Sequence, residues 1–74
     1  MNDRQIQAHD DLMIAVKELE WTRTCIRQTS TNMRRLDASP EQIVLCGEQL
    51  RHLRRTERYQ KRAVDALRAE ALGV

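Results

Sequence analysis

The chain has no phenylalanine, and its 74 residues include one tryptophan, Trp21, and one tyrosine, Tyr59. Strands draw on aromatic and β-branched residues, whereas the apolar material here is largely Leu, Ile, Val, Met and Ala, which suits the seams of packed helices. Proline occurs once, at Pro40, and glycine twice, at Gly47 and Gly73. So few breaks leave room for a single turn between two long elements. No apolar run approaches the ~18 residues of a membrane span, so no membrane contact is expected. The opening residues, MNDRQIQAHDD, are polar and acidic, unlike a secretory signal.

Cysteine is scarce too. Cys25 and Cys46 form neither a CxxC pair nor a disulfide framework. Together with His9 and His52, the only histidines, they match no zinc-site spacing. The expectation is a cytoplasmic chain with two buried, reduced thiols and no metal or cofactor.

The one break reads LDASPEQIV. Ser39 stands where an N-cap belongs, Pro40 at the first helical position, and Gln42 three residues on completes a capping box. Glu41 adds negative charge to the first turn, and Leu36 can pack back on the start of the following helix. A helix over about 3–36, a turn at about 37–39 and a helix over about 40–72 follow, and so short a connection makes the helices antiparallel neighbours. Residues 1–74 form one helical hairpin.

The hydrophobic pattern supports packing like that of a coiled coil. Leu12, Leu19, Ile26 and Met33 recur every seven residues, with Ala8, Ala15, Thr22 and Thr29 at the companion positions. Ile43, Leu50, Glu57, Val64 and Ala71 repeat the spacing, accompanied by Cys46, Leu53, Gln60, Leu67 and Val74. Folding the chain about residue 38 sets Ile43 against Met33, Leu50 against Ile26 and Val64 against Leu12, and brings Arg23 within reach of Glu57. The stretch from Thr29 to Asn32 is weak in helix propensity and is where α-helical structure should fray first. Gly47 costs about 1 kcal/mol relative to alanine inside a helix, which points to a close backbone approach. Gly73 marks the stop.

A second apolar set lies beside these seams: Ile6, Met13, Ile14, Val16 and Trp21 on the first helix, and Val44, Leu45, Tyr59 and Ala63 on the second. One hairpin cannot cover both flanks. The all-α architecture expected is therefore an antiparallel two-helix hairpin with heptads, dimerising into a four-helix bundle. Met13, Trp21 and Tyr59 are the candidate apolar anchors of an interface.

Nothing resembles catalytic machinery. His9 is followed by Asp10 and Asp11, but neighbours one and two apart point different ways on a helix. His9 shares a face with Met13 and reads as a partly packed histidine. No GxGxxG, P-loop, HExxH or GxSxG occurs, so the chain is expected not to be an enzyme.

Charge is more informative. The net charge is only +2, yet residues 51–62 (RHLRRTERYQKR) carry Arg51, Arg54, Arg55, Arg58, Lys61 and Arg62 against the single acid Glu57. Residues 21–36 add Arg23, Arg27, Arg34 and Arg35 without an acid, while residues 1–20 and 37–50 are each net negative. Folded as a hairpin, the rod is basic in its middle. Arg51, Arg55, Arg58 and Arg62 make one helical stripe, flanked by Arg54 and Lys61, and with Arg23 and Arg27 they form the candidate partner surface. Arginine suits bidentate contacts to carboxylate or phosphate. The leading expectation is a small adaptor, chaperone or inhibitor that binds another protein through helix faces and arginines. The alternatives are a nucleic-acid-associated dimer that contacts phosphates and a purely structural oligomerisation unit.

Overall fold

A computed structural model describes residues 2–35 and 37–73. It contains two helices, α1 (Asp3–Met33) and α2 (Pro40–Ala71). Each begins with a reciprocal cap. The Gln5 N–H donates to Asn2 Oδ1 at 2.8 Å while the Asn2 N–H donates to Gln5 Oε1 at 3.0 Å. At α2 the Gln42 N–H donates to Ser39 Oγ at 3.2 Å and the Ser39 N–H to Gln42 Oε1 at 2.9 Å. Both boxes satisfy amide donors that the first helical turn leaves free. The hydrogen bond from the Ala38 N–H to the Arg35 carbonyl, 3.2 Å, tightens the turn between the helices.

The weak stretch of α1 does not break. Thr31 Oγ1 donates to the Arg27 carbonyl at 2.9 Å, as Thr24 Oγ1 does to Glu20 at 3.0 Å and Thr22 Oγ1 to Glu18 at 3.1 Å. Each hydroxyl is thereby folded back on its own helix. The helix ends at Met33, short of the expected boundary near residue 36, where Arg34 and Arg35 donate to the carbonyls three residues back. The packing expected of Leu36 and the seam position of Val74 lie outside the described residues. α2 ends at Ala71, and Gly73 takes a left-handed φ of 74°. The positive φ is what favours glycine there; a Cβ would meet only the movable end of the Gln5 side chain.

The helices pair antiparallel in a hairpin 55 Å long and 14 by 12 Å across. Ala8, Leu19 and Thr22 of α1 and Leu50, Val64 and Ala71 of α2 are the buried residues of the two helices. Among the described residues no side chain is sealed completely. The register differs in detail from a fold about residue 38: Met33 reaches Gly47, one turn past Ile43, and Ile43 is left 38% exposed. Side chains of a helix lean toward its N-terminus. Those of α1 therefore reach away from the turn, toward higher numbers on α2. The same lean carries Arg23 to Glu57, with Nε and Oε2 3.1 Å apart.

Three residues depart from the expected packing. Cys25 and Cys46 are free but only half-buried, because a two-helix seam has no third wall to cover them. Gln60 is half-buried, and its Oε1 is buried with no hydrogen-bond partner among the described residues. A buried acceptor left unpaired costs about 1–3 kcal/mol. Gln60→Leu is therefore expected to raise stability by about 1–2 kcal/mol, seen as a higher urea midpoint at unchanged slope. A lower midpoint would mean that the amide is satisfied in solution.

Candidate binding surfaces

The arginines of α2 divide between a groove and the outer face of the hairpin. On one side of the seam an open groove of about 700 Å³ runs between the helices. Its apolar floor is Ile26 and Met33 of α1 and Leu50 of α2, and Gly47 contributes only backbone. Arg51, Arg54 and Arg58 stand along its rim. Glu57 lies among them, but its carboxylate is bound by Arg23 from α1. Arg55, Lys61 and Arg62 are exposed and do not line the groove. The Arg27 guanidinium turns to its own helix, donating to Thr24 Oγ1 at 3.1 Å.

Among the described residues two ion pairs form, Arg23–Glu57 and Arg4–Glu70. Both are solvated, and such pairs contribute at most about 1 kcal/mol each. The three arginines of the rim have no acidic partner among the described residues, which leaves a row of guanidiniums above an apolar floor.

The other side of the seam has a different character. Cys25 lines a second groove with Leu45, Gln49, His52 and Leu53. Ile14, Glu18, Trp21 and Cys25 follow at spacings of four, three and four, one stripe of α1. Leu45, Gln49, His52, Thr56 and Tyr59 continue in the same manner on α2. The two stripes run into the second groove at Cys25, Leu45, Gln49 and His52 and contain no arginine. Trp21 is 67% exposed and Tyr59 77%. Met13 is exposed as well, at 55%, but lies on the opposite flank of α1, with Ile6.

Sequence periodicity located the arginines and the aromatic residues, but not the floor of the first groove. Ile26, Met33 and Leu50 read as seam residues, but in the structure Ile26 and Met33 are only half-buried, and the buried Leu50 lies beside them on the groove. Gly47 carried the one available signal, a helix-interior glycine. A Cβ on Gly47 would meet only Met33 Cε, at an ordinary 3.8 Å. The close backbone approach expected there does not come from the hairpin itself, and Gly47→Ala is expected to raise stability by about 1 kcal/mol. A rise in thermal midpoint checks this, and a fall would mean that Met33 cannot yield.

His9 is exposed, not partly packed, since Met13 beside it on the helix is also turned outward. Among the described residues no three His, Cys, Asp or Glu side chains converge as metal ligands, and no helix is long and apolar enough to cross a membrane. No protein-family model, curated protein or solved structure matches the chain, so its surfaces are its own guide to function.

Proposed function

We propose that the chain is a non-enzymatic, cytoplasmic protein-binding module, an adaptor, chaperone or inhibitor, that works as a dimer of hairpins packed into a four-helix bundle. The observation that carries this reading is the amount of surface left open. A compact monomer of 8.7 kDa exposes about 4,700 Å² by the usual scaling with mass. This hairpin exposes 6069 Å². The excess exceeds the roughly 800 Å² per partner that a standard protein interface buries. Large apolar side chains contribute to it: Ile14, Trp21, Leu45 and Tyr59 are all exposed, and Leu45 lines the arginine-free groove. Aromatic enrichment and depletion of charge mark the centres of interfaces. The apolar residues beside the seam would then be covered by the second hairpin.

The test has two parts. Sedimentation of the purified chain at micromolar concentration is expected to give twice the 8.7 kDa monomer mass; a single hairpin at all concentrations removes the bundle. Capture from the native lysate after nuclease treatment is expected to retain a discrete protein.

One observation favours a second reading. Arg51, Arg54 and Arg58 on the groove rim are unpaired among the described residues, and Arg55 and Arg62 are exposed on the outer face behind them, a concentration of positive charge that suits a phosphate backbone. In that case nucleic acid co-purifies at low salt and leaves at high salt.

A further inference from the structure

We infer that the arginine-rimmed groove is the seat of an acidic amphipathic helix from a partner protein. This rests on the protein-binding reading above and names the chemistry of the partner. Three features meet in one place. The floor is apolar: Ile26, Met33 and Leu50 each turn a side to the groove. Phosphate backbones carry no side chains to use such a floor, whereas one face of an amphipathic helix does.

Gly47 lies in the middle of this floor, and its lack of a side chain serves nothing within the hairpin, because a Cβ would find only an ordinary contact at 3.8 Å. Small residues let a second helix backbone come close. The vacancy lies on the outward side of the seam, where an added helix would rest.

The rim supplies the charge. Arg51, Arg54 and Arg58 follow at spacings of three and four, the repeat of carboxylates along one edge of a facing helix. The one acid among them, Glu57, is occupied by Arg23 across the seam, 3.1 Å away, so it neither neutralises the row nor repels an acidic ligand at full strength. Guanidiniums bind carboxylates by paired, charge-assisted hydrogen bonds. A helix with an apolar stripe and glutamates along one edge therefore matches floor and rim together.

The probe is a labelled synthetic helix of about six turns with a leucine stripe flanked by glutamates. Its controls are the same helix with glutamine in place of glutamate and a duplex DNA of equal length. Fluorescence anisotropy against the full chain is expected to show the glutamate helix binding at least about tenfold tighter than the glutamine helix, since charge-assisted bonds are roughly twice as strong as neutral ones. Arg54→Glu with Arg58→Glu is expected to abolish binding. Gly47→Leu, which fills the floor without touching charge, is expected to weaken it by a similar factor, with circular dichroism confirming that each variant remains helical.

The inference is overturned if the glutamate helix shows no binding up to about 100 μM or if glutamine serves as well. It is overturned in favour of nucleic acid if DNA binds and Gly47→Leu leaves that binding intact. It is overturned in favour of a second copy if the double arginine variant dissociates the dimer. Should the groove fail while the chain still retains a nuclease-resistant protein, this assignment falls and the protein-binding reading stands.

Discussion

Trp21→Glu is expected to convert the proposed bundle of two hairpins into a single hairpin that remains helical. Trp21 is 67% exposed in the isolated hairpin, so replacing it removes little of the internal packing. In the bundle the same ring would be covered, and a carboxylate there would be buried without a partner. Central aromatic anchors are worth about 2–4 kcal/mol in typical interfaces, which corresponds to weakening of the dimer by roughly 30- to 1,000-fold. Ile14→Glu, one heptad back on the same stripe, should act in the same direction. Arg55→Glu, on the outer face of α2, serves as the control and should leave the mass unchanged. Sedimentation across a concentration series reads all three. A Trp21→Glu variant that still sediments as a dimer would place the interface elsewhere. The emission of Trp21 in the parent protein provides a second reading, blue-shifted and shielded when the ring is covered.

Leu19→Ala is expected to have the largest effect on folding itself. Leu19 is 5% exposed and lies at the centre of the seam. Truncating a buried leucine costs about 2–5 kcal/mol, and the lower part of that range applies where neighbours can collapse into the gap, as they can beside an open seam. A domain of this length has a total stability of only about 4–11 kcal/mol. A loss of about 2–3 kcal/mol thus leaves a substantial unfolded population at elevated temperature. Leu45→Ala makes the contrast, because Leu45 is already exposed in the hairpin. Chemical denaturation at two protein concentrations separates the classes. The cost of Leu19→Ala should persist at high dilution, whereas any cost of Leu45→Ala should appear only where the dimer forms, since association stabilises by mass action. Equal losses for both leucines at high dilution would mean that the seam is not where the hairpin is held.

Much of the architecture was legible without coordinates, and the reasons are local. Ser39, Pro40 and Gln42 announce a helix start through side-chain chemistry that acts within four residues. Seven-residue recurrence of Leu12, Leu19 and Ile26 reports a face because helical geometry is regular. Arg23 and Glu57 could be paired because a short turn ties the two registers together. What was not legible depends on the direction of side chains across the seam. Met33 reaches Gly47, one turn beyond Ile43, because of the N-terminal lean of helical side chains, an offset that heptad counting ignores. The groove was missed for a related reason: periodicity assigns Ile26 and Met33 to the interior with Leu50, but the two helices enclose only Leu50 and leave the other two half-buried. The same geometry left Cys25 and Cys46 half-buried. It also divided the arginine cluster, with Arg51, Arg54 and Arg58 on a groove and Arg55 and Arg62 behind it.

The pairing of α1 with α2 also sets an order of assembly. The contact between Met33 and Gly47 spans a short loop, while Arg4 and Glu70 are 66 positions apart. Closing the longer loop first would cost about 1.4 kcal/mol more in chain entropy, by the logarithmic dependence on loop length. Each contact formed near the turn shortens the loop that the next one must close. The helices thus come together as a zipper does, from the capped junction at Ser39 outward. Unzipping proceeds from the opposite end, where Arg4, Gln5, Glu70 and Gly73 meet, and that end is where a partner could most easily part the strands of the rod.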